Sequence, residues 1–360
     1  MQSIYTAEKI FTGADWLPDH AIVADEDLII DVLPAISLPK KSVIKKHSSM
    51  IVPAFIDVQI YGAAEKLFAV YPTVESLKKL NKYCVAGGAH YFLPTVATNT
   101  NEVFFKCIDA VKEYWSQNRK GVIGLHIEGP WINKLKRGAH IESLIHSPTL
   151  QEVKELLAYG NGIIKMITLA PEICSKEVIE YILEKDVTIS AGHSNATFQQ
   201  GIQAFDNGIT TATHLFNAMS SLHHREPGLP AAVMQHSSVM ASIIPDGYHV
   251  DFEMISIAKK IIGERLFIIT DAVTETNEGL YHHHFSDDKY EADGILSGSA
   301  LTMIKGVKNL VEKCGIELSE ALRMASLYPA RLLGMSNELG MIKRGYRNDV
   351  IFLDKELNVV

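Results

Sequence analysis

Along most of the chain, apolar β-branched runs of five to eight residues alternate with longer stretches whose apolar positions recur at helical spacing. The runs are VPAFIDVQI, HYFLPTVAT, GVIGLHIEG, IIKMITLAP, VTISAGH, GITTATHLF, VMASIIPDGYH and LFIITDAV. Between most of them lie amphipathic stretches such as TVESLKKLNKYCVAGG, NEVFFKCIDAVKEYW, SKEVIEYILEKD and FEMISIAKKIIG. Continuous apolar strands alternating with helices imply a parallel sheet covered on its outer face. Eight such units predict an α/β fold, a (β/α)8 barrel. The alternative, an open doubly wound sheet, usually shows a Gly-rich phosphate fingerprint after its first strand, and QIYGAAEKLF contains none.

The rhythm differs before residue 50. SIYTAEKIF, HAIVAD, LIIDVL and SVIKKH read as short strands with turns between them. The tail LGMIKRGYRNDVIFLD also alternates like a strand. The pattern therefore predicts a small β domain built from residues 1–50 and 336–360, flanking a barrel over 51–335. No Pro/Ser/Gly-rich linker separates them, so the two parts are expected to pack closely.

In a barrel of this kind catalytic groups come from the C-terminal ends of the strands. The first run ends at Asp57, Gln59 and Tyr61, the third at His126 and Glu128, the fifth at His193 and the sixth at His214. The seventh ends at Asp246 and His249 and the eighth at Asp271, whereas the second and fourth offer only Thr95 and Glu172. A lone histidine at a strand end is ordinarily a hydrogen-bonded core or surface group. Two on adjacent strand ends, with a glutamate two strands back and an aspartate two strands on, fit an oxygen/nitrogen metal site better. Asp271 could then take a proton from water and pass it to a leaving amine, so the constellation reads as metal-assisted hydrolysis of an amide. Other readings stay open: Asp271 as a helix N-cap, and Glu128 as a group that only orients the loop after it. His126 reads as a packing group or a support for Glu128. The triple histidine in GLYHHHFSDD reads as solvated surface, and Arg225 in LHHREPG as either an anion clamp or part of an exposed basic loop.

Composition narrows the partners. The 360 residues are 47% hydrophobic and 21% charged, with net charge -8 and no basic block, which argues against nucleic acid or an anionic membrane as partner. Four scattered cysteines without a CxxC pair fit a reducing compartment. MQSIYTAEKIFTGADW lacks the apolar core of a secretory signal, and no 18 apolar residues run together, so a cytoplasmic protein is expected.

The order of PAFIDVQIYG, GLHIEGPWINKLKRGAH, TLAPE, SAGHSNA, THLFNAM, REPGLPAAV, PDGYHVD, ITDAV, LSGSALTM and ASLYPARLLG resembles the N-acetylglucosamine-6-phosphate deacetylases of the amidohydrolase superfamily, from about residue 50 to 350. The resemblance implies Glu128, His193 and His214 as ligands of one divalent metal ion per subunit, Zn²⁺ or Fe²⁺, with Asp271 as general base and acid. It implies Ala139 and His140 as sugar contacts, Asn217, Ala218, Arg225 and His249 as phosphate and sugar contacts, and Leu296, Ser297 and Gly298 as a backbone segment along the pocket. It also implies a phosphorylated amino sugar as substrate, a homodimer in which Arg225 reaches the neighbouring site, and a small β-sandwich built from both chain ends. Two departures stand out. Where many amidohydrolases carry HxH, this chain has Gln59-Ile60-Tyr61, which argues against a second tight metal and makes both side chains possible pocket residues. VTETNEG after Asp271 also differs from the TAPAG-like stretch the resemblance leads one to expect.

Overall fold

Each of the eight apolar runs supplies one strand of a parallel sheet in the computed structural model, which describes residues 2–117 and 119–360. The strands are Phe55–Ile60, Ala89–Ala97, Leu125–Glu128, Ile164–Leu169, Thr188–Ala191, Thr211–Ala212, Met240–Ile243 and Leu266–Ile268. They pair in chain order. The chain just beyond the eighth strand then closes the ring on the first: Asp271 N–H donates to the Gln59 carbonyl at 2.9 Å, and Tyr61 N–H to the Ala272 carbonyl at 2.9 Å. Asp271 is thus fixed at the seam of the barrel.

Helices cover the outside with their apolar faces turned inward. Val74–Ala86 starts on a Thr73 cap and buries Leu77, Leu80 and Cys84. Phe198–Asp206 opens on a reciprocal box in which the Thr197 and Gln200 side chains satisfy each other's backbone N–H groups, and it buries Ala204 and Phe205. Inside the barrel the filling is partly polar. His126 Nε2 meets Thr168 Oγ1 at 2.8 Å, Thr168 meets Thr213 at 2.7 Å, and Thr213 meets Ser190 at 2.5 Å. Every member of this buried chain has a partner, which keeps its desolvation cost low.

A second sheet of six strands holds Gln2–Phe11, Trp16–Pro18, His20–Asp25, Leu28–Pro34 and Ile44–Pro53, joined at its edge by Val350–Leu353 from the chain end. Val350 lies opposite Pro53 in the antiparallel register of that last pair. Ala7, Ile10, Ile22, Ile29, Ile51, Ile342 and Val350 form a small core of their own here. Ile44–Pro53 runs on through residue 50 and leads directly into the first barrel strand, which ties the two sheets together. Among the described residues no helix is long and apolar enough to cross a membrane.

Candidate active site

The strand ends converge on one cavity. Its lining includes Tyr61, Glu128, Ala139, His140, His193, His214, Asn217, Ala218, His249, Asp271, Leu296, Ser297 and Gly298. Of the residues that the resemblance brings to the pocket, Gln59 and Arg225 do not line it. Gln59 is buried beneath, with its amide on Glu128. Arg225 sits in an exposed loop.

At the centre lies the Glu128 carboxylate, 1% exposed. Its Oε1 is 3.4 Å from His193 Nε2 and 3.3 Å from His214 Nε2, and these two ring nitrogens are 3.1 Å apart. Gln59 Nε2 donates to Oε1 at 3.0 Å, while the Tyr61 hydroxyl donates to Oε2. Burial works to raise the Glu128 pKa, but the imidazoles of His140, His193 and His214 that close on it outweigh burial and hold the group well below the usual carboxylate range.

The three histidines are not equivalent. His193 Nδ1 faces the Lys136 carbonyl at 3.0 Å. A carbonyl only accepts, so Nδ1 carries the hydrogen and Nε2 presents a lone pair to the centre. His140 is the reverse case: its Nδ1 accepts from the Thr98 backbone N–H at 3.4 Å and lies 2.7 Å from Thr98 Oγ1. Its hydrogen is therefore on Nε2, 3.4 Å from Glu128 Oε2. Although Glu128, His140 and His193 also converge within 4.8 Å, this tautomer makes His140 a donor rather than a ligand. His214 keeps Nδ1 buried without a partner among the described residues. One carboxylate and the Nε2 atoms of His193 and His214 aimed at a common point fit a divalent cation, which takes just such nitrogen and oxygen donors.

Asp271 stands beside them with its Oδ1 buried and without a partner among the described residues. Burial, reinforced by the negative charges of Glu128, Asp246 and Asp57, pushes its pKa well above the ordinary carboxylate value. No helix follows it, so the N-cap reading falls. His193, His214 and Asp271 adopt left-handed backbone angles, with φ of 47°, 36° and 54°. Non-glycine residues in this region cost about 1 kcal/mol each, and such strain tends to gather at functional sites. Behind Asp271, Gly298 comes so close that a Cβ there would sit 2.4 Å from a Val273 methyl and 2.9 Å from the Asp271 carbonyl oxygen.

His249 is held through Nδ1 by Asp246 Oδ2 at 2.6 Å, and Asp246 Oδ1 accepts the backbone N–H groups of Tyr248 and His249, each at 2.9 Å. The remaining sequence candidates act at one remove. His126 packs within the barrel, bonded to the Val58 carbonyl and Thr168, and makes no hydrogen bond to Glu128. Glu172 clamps the loop after His193: it accepts from Asn133 Nδ2 at 2.9 Å, Ser194 Oγ at 2.7 Å and Asn195 N–H at 2.7 Å. Asp57 accepts from the backbone and hydroxyl of Thr270 and is pushed up to about 6, mainly by burial.

The triple histidine corrects the sequence reading. His282 and His284 are exposed, but His283 is buried and lines the cavity beside Tyr281. The segment is extended, so side chains alternate between the two faces. Tyr-His-His-His at period two was the available signal.

Residues 50–359 match the amidohydrolase family and residues 4–48 the NagA composite domain. The chain is 32% identical to the N-acetylglucosamine-6-phosphate deacetylase of Haemophilus influenzae, over 93% of this chain and 91% of that one. It is 30% identical to the N-acetylgalactosamine-6-phosphate deacetylase of Escherichia coli O157:H7, over 100% of this chain and 97% of that one. The crystal structure of the N-acetylglucosamine-6-phosphate deacetylase from Pasteurella multocida superposes with a TM-score of 0.94 at 32% identity, covering 100% of this chain and 97% of that chain. With a closed barrel, a carboxylate and two imidazoles at its mouth, and a match over most of its length, this chain belongs to the amidohydrolase family.

Proposed function

We propose that the protein hydrolyses N-acetylglucosamine 6-phosphate to glucosamine 6-phosphate and acetate, as a step in amino-sugar catabolism. The observation that carries this is the unpartnered, buried Asp271 beside Glu128, His193 and His214, in a chain whose relatives are named as deacetylases of N-acetyl amino-sugar phosphates. Glu128, His193 and His214 would hold one divalent ion, Zn²⁺ or Fe²⁺, which share these ligands. When bound, such an ion acts as a Lewis acid that lowers the pKa of water and polarises a carbonyl.

Asp271 takes one proton from the attacking water at its unpartnered Oδ1. The water oxygen bonds to the acetyl carbon, the carbon–nitrogen bond breaks, and Asp271 returns the proton to the departing amine. His140, with its hydrogen on Nε2, donates toward the oxyanion that develops on the acetyl group. His249, oriented by Asp246, and Arg225 bind the phosphate, so remote binding energy aligns the reacting amide. Arg225 does so from a second copy of the chain; its exposure outside its own cavity suits that role and a homodimer.

The test is acetate release from N-acetylglucosamine 6-phosphate by purified protein, before and after chelation and with metal restored. Activity that is lost on chelation and regained with one equivalent of Zn²⁺ or Fe²⁺ supports the reading; activity indifferent to chelation sinks it. The N-acetylgalactosamine 6-phosphate reaction, favoured by relatives of that name that match nearly the whole chain, is run alongside. A higher kcat/KM for that epimer would replace the substrate while leaving the chemistry intact.

A further inference from the structure

Within the substrate reading above, one side chain of the cavity has no part yet. His283 is 4% exposed and lines the same cavity as Asp271 and the metal-binding histidines. Its Nδ1 is buried without a protein partner among the described residues. Burial, helped by the neighbouring His282 and His284, pushes its pKa down to about 4, so the ring is neutral at physiological pH. A neutral imidazole carries one donor and one acceptor, and a buried ring nitrogen left unpaired is costly.

The surroundings do not ask for a nitrogen there. The Tyr281 ring lies nearly parallel to the imidazole, 6.2 Å away at 18°, and an apolar ring would pack as well. The backbone is held independently: the Thr276 N–H donates to the His283 carbonyl at 3.2 Å. Tyr281 anchors the segment to the far wall, its hydroxyl donating to the Thr98 carbonyl at 2.8 Å. The ring is thus held at the cavity wall with its hydrogen-bonding capacity unspent. It lies four residues beyond VTETNEG, the stretch in which this chain departs from the pattern its motifs otherwise resemble.

We propose that His283 is a substrate-recognition residue that exchanges a hydrogen bond with a ring hydroxyl of the amino sugar. A hydroxyl both donates and accepts and so matches a neutral imidazole, whereas a phosphate dianion offers acceptors only and is better served by cations such as Arg225. This rests on the deacetylase reading, and the experiment separates the two.

The metal-loaded wild type, His283→Phe and His283→Asn are compared by steady-state acetate release, by calorimetric titration with glucosamine 6-phosphate, and by thermal unfolding. Phe keeps the ring and removes the nitrogens; Asn restores polar atoms near the position of Nδ1. In His283→Phe the KM for N-acetylglucosamine 6-phosphate and the Kd for glucosamine 6-phosphate should both rise about tenfold, with kcat changing less. Its Tm should stay the same or rise, because a buried unpaired polar group has been removed. His283→Asn should recover part of the loss in KM and Kd. Unchanged KM and Kd in the Phe variant overturn the proposal, whatever happens to Tm. If the Phe variant is destabilised and binds weakly, failure of Asn to restore binding overturns it and restoration supports it. Wild type that releases acetate from no N-acetyl sugar phosphate defeats the deacetylase reading instead, and the glucosamine 6-phosphate titration then judges His283 alone.

Discussion

The two walls of the cavity are built in different ways. One wall consists of strand ends: Glu128 finishes a barrel strand, while His193 and His214 follow theirs within two residues. Left-handed turns aim both imidazoles inward, and the Glu172 clamp fixes the loop after the first of them. The other wall is the excursion between Asp271 and Gly298. It contains a three-stranded antiparallel meander, His284–Ser286, Lys289–Ala292 and Ile295–Leu296, and presents Val273, Tyr281 and His283. A wall made of strand ends has little freedom to vary, because a slip of one residue turns every side chain to the opposite face. An excursion can change its lining without disturbing the barrel. The difference points to reaction chemistry on the first wall and substrate choice on the second.

Asp271, at the junction of the two, gives the largest expected effect. Asp271→Asn keeps the shape but removes the group proposed to accept and return the proton. Its kcat should fall about 10²- to 10⁴-fold, while bound metal and the far-ultraviolet circular dichroism spectrum stay at wild-type levels. Metal content by atomic spectroscopy alongside acetate release checks this. If Asp271→Asn lost its metal, Asp271 would count among the ligands and the assignment of proton transfer would need revision.

A smaller effect is expected from loosening the first wall without touching a proposed metal ligand. Glu172→Ala frees Asn133, Ser194 and Asn195, and Asn133 N–H is itself bonded to the His193 carbonyl at 2.9 Å. Removing groups that orient a metal-binding histidine commonly costs about 10- to 100-fold in metal affinity. Competition against a chelator of known affinity measures it, and Glu172→Gln should recover part of the loss because its carbonyl still accepts. Affinity unchanged in Glu172→Ala would show that the strand end alone suffices to position His193.

The same contrast governs what could be read from the sequence. The eight strands were legible because a buried parallel strand must be continuously apolar, and the polar residue interrupting or ending each run marked the mouth. The partners behind them were harder to see. Glu172 looked like a weak offering from the fourth strand because its targets, Ser194 and Asn195, are 22 and 23 residues away. In the sequence, Gln59 and Tyr61 bear on a second metal, whereas in the fold both also hydrogen-bond the Glu128 carboxylate. The tautomer that separates His140 from the ligands depends on Thr98, 42 residues earlier. Pairings of this kind leave no periodic trace. His283 did leave one, in a segment too short and polar to announce itself as a strand.

That trace supplies the smallest expected effect. His282 and His284 flank His283 but point outward, and His282 Nε2 meets the Gly279 carbonyl at 3.1 Å on the exposed face. His282→Ala and His284→Ala should each keep kcat/KM within about twofold of wild type and stability within about 0.5 kcal/mol, as expected for surface sites without special contacts. Three neighbouring histidines would then differ in effect strictly by parity, which a loop of indifferent solvated side chains would not produce. A tenfold loss of kcat/KM in either flanking variant would mean that the meander turns a different face to the sugar, and the second wall would have to be redrawn from that residue outward.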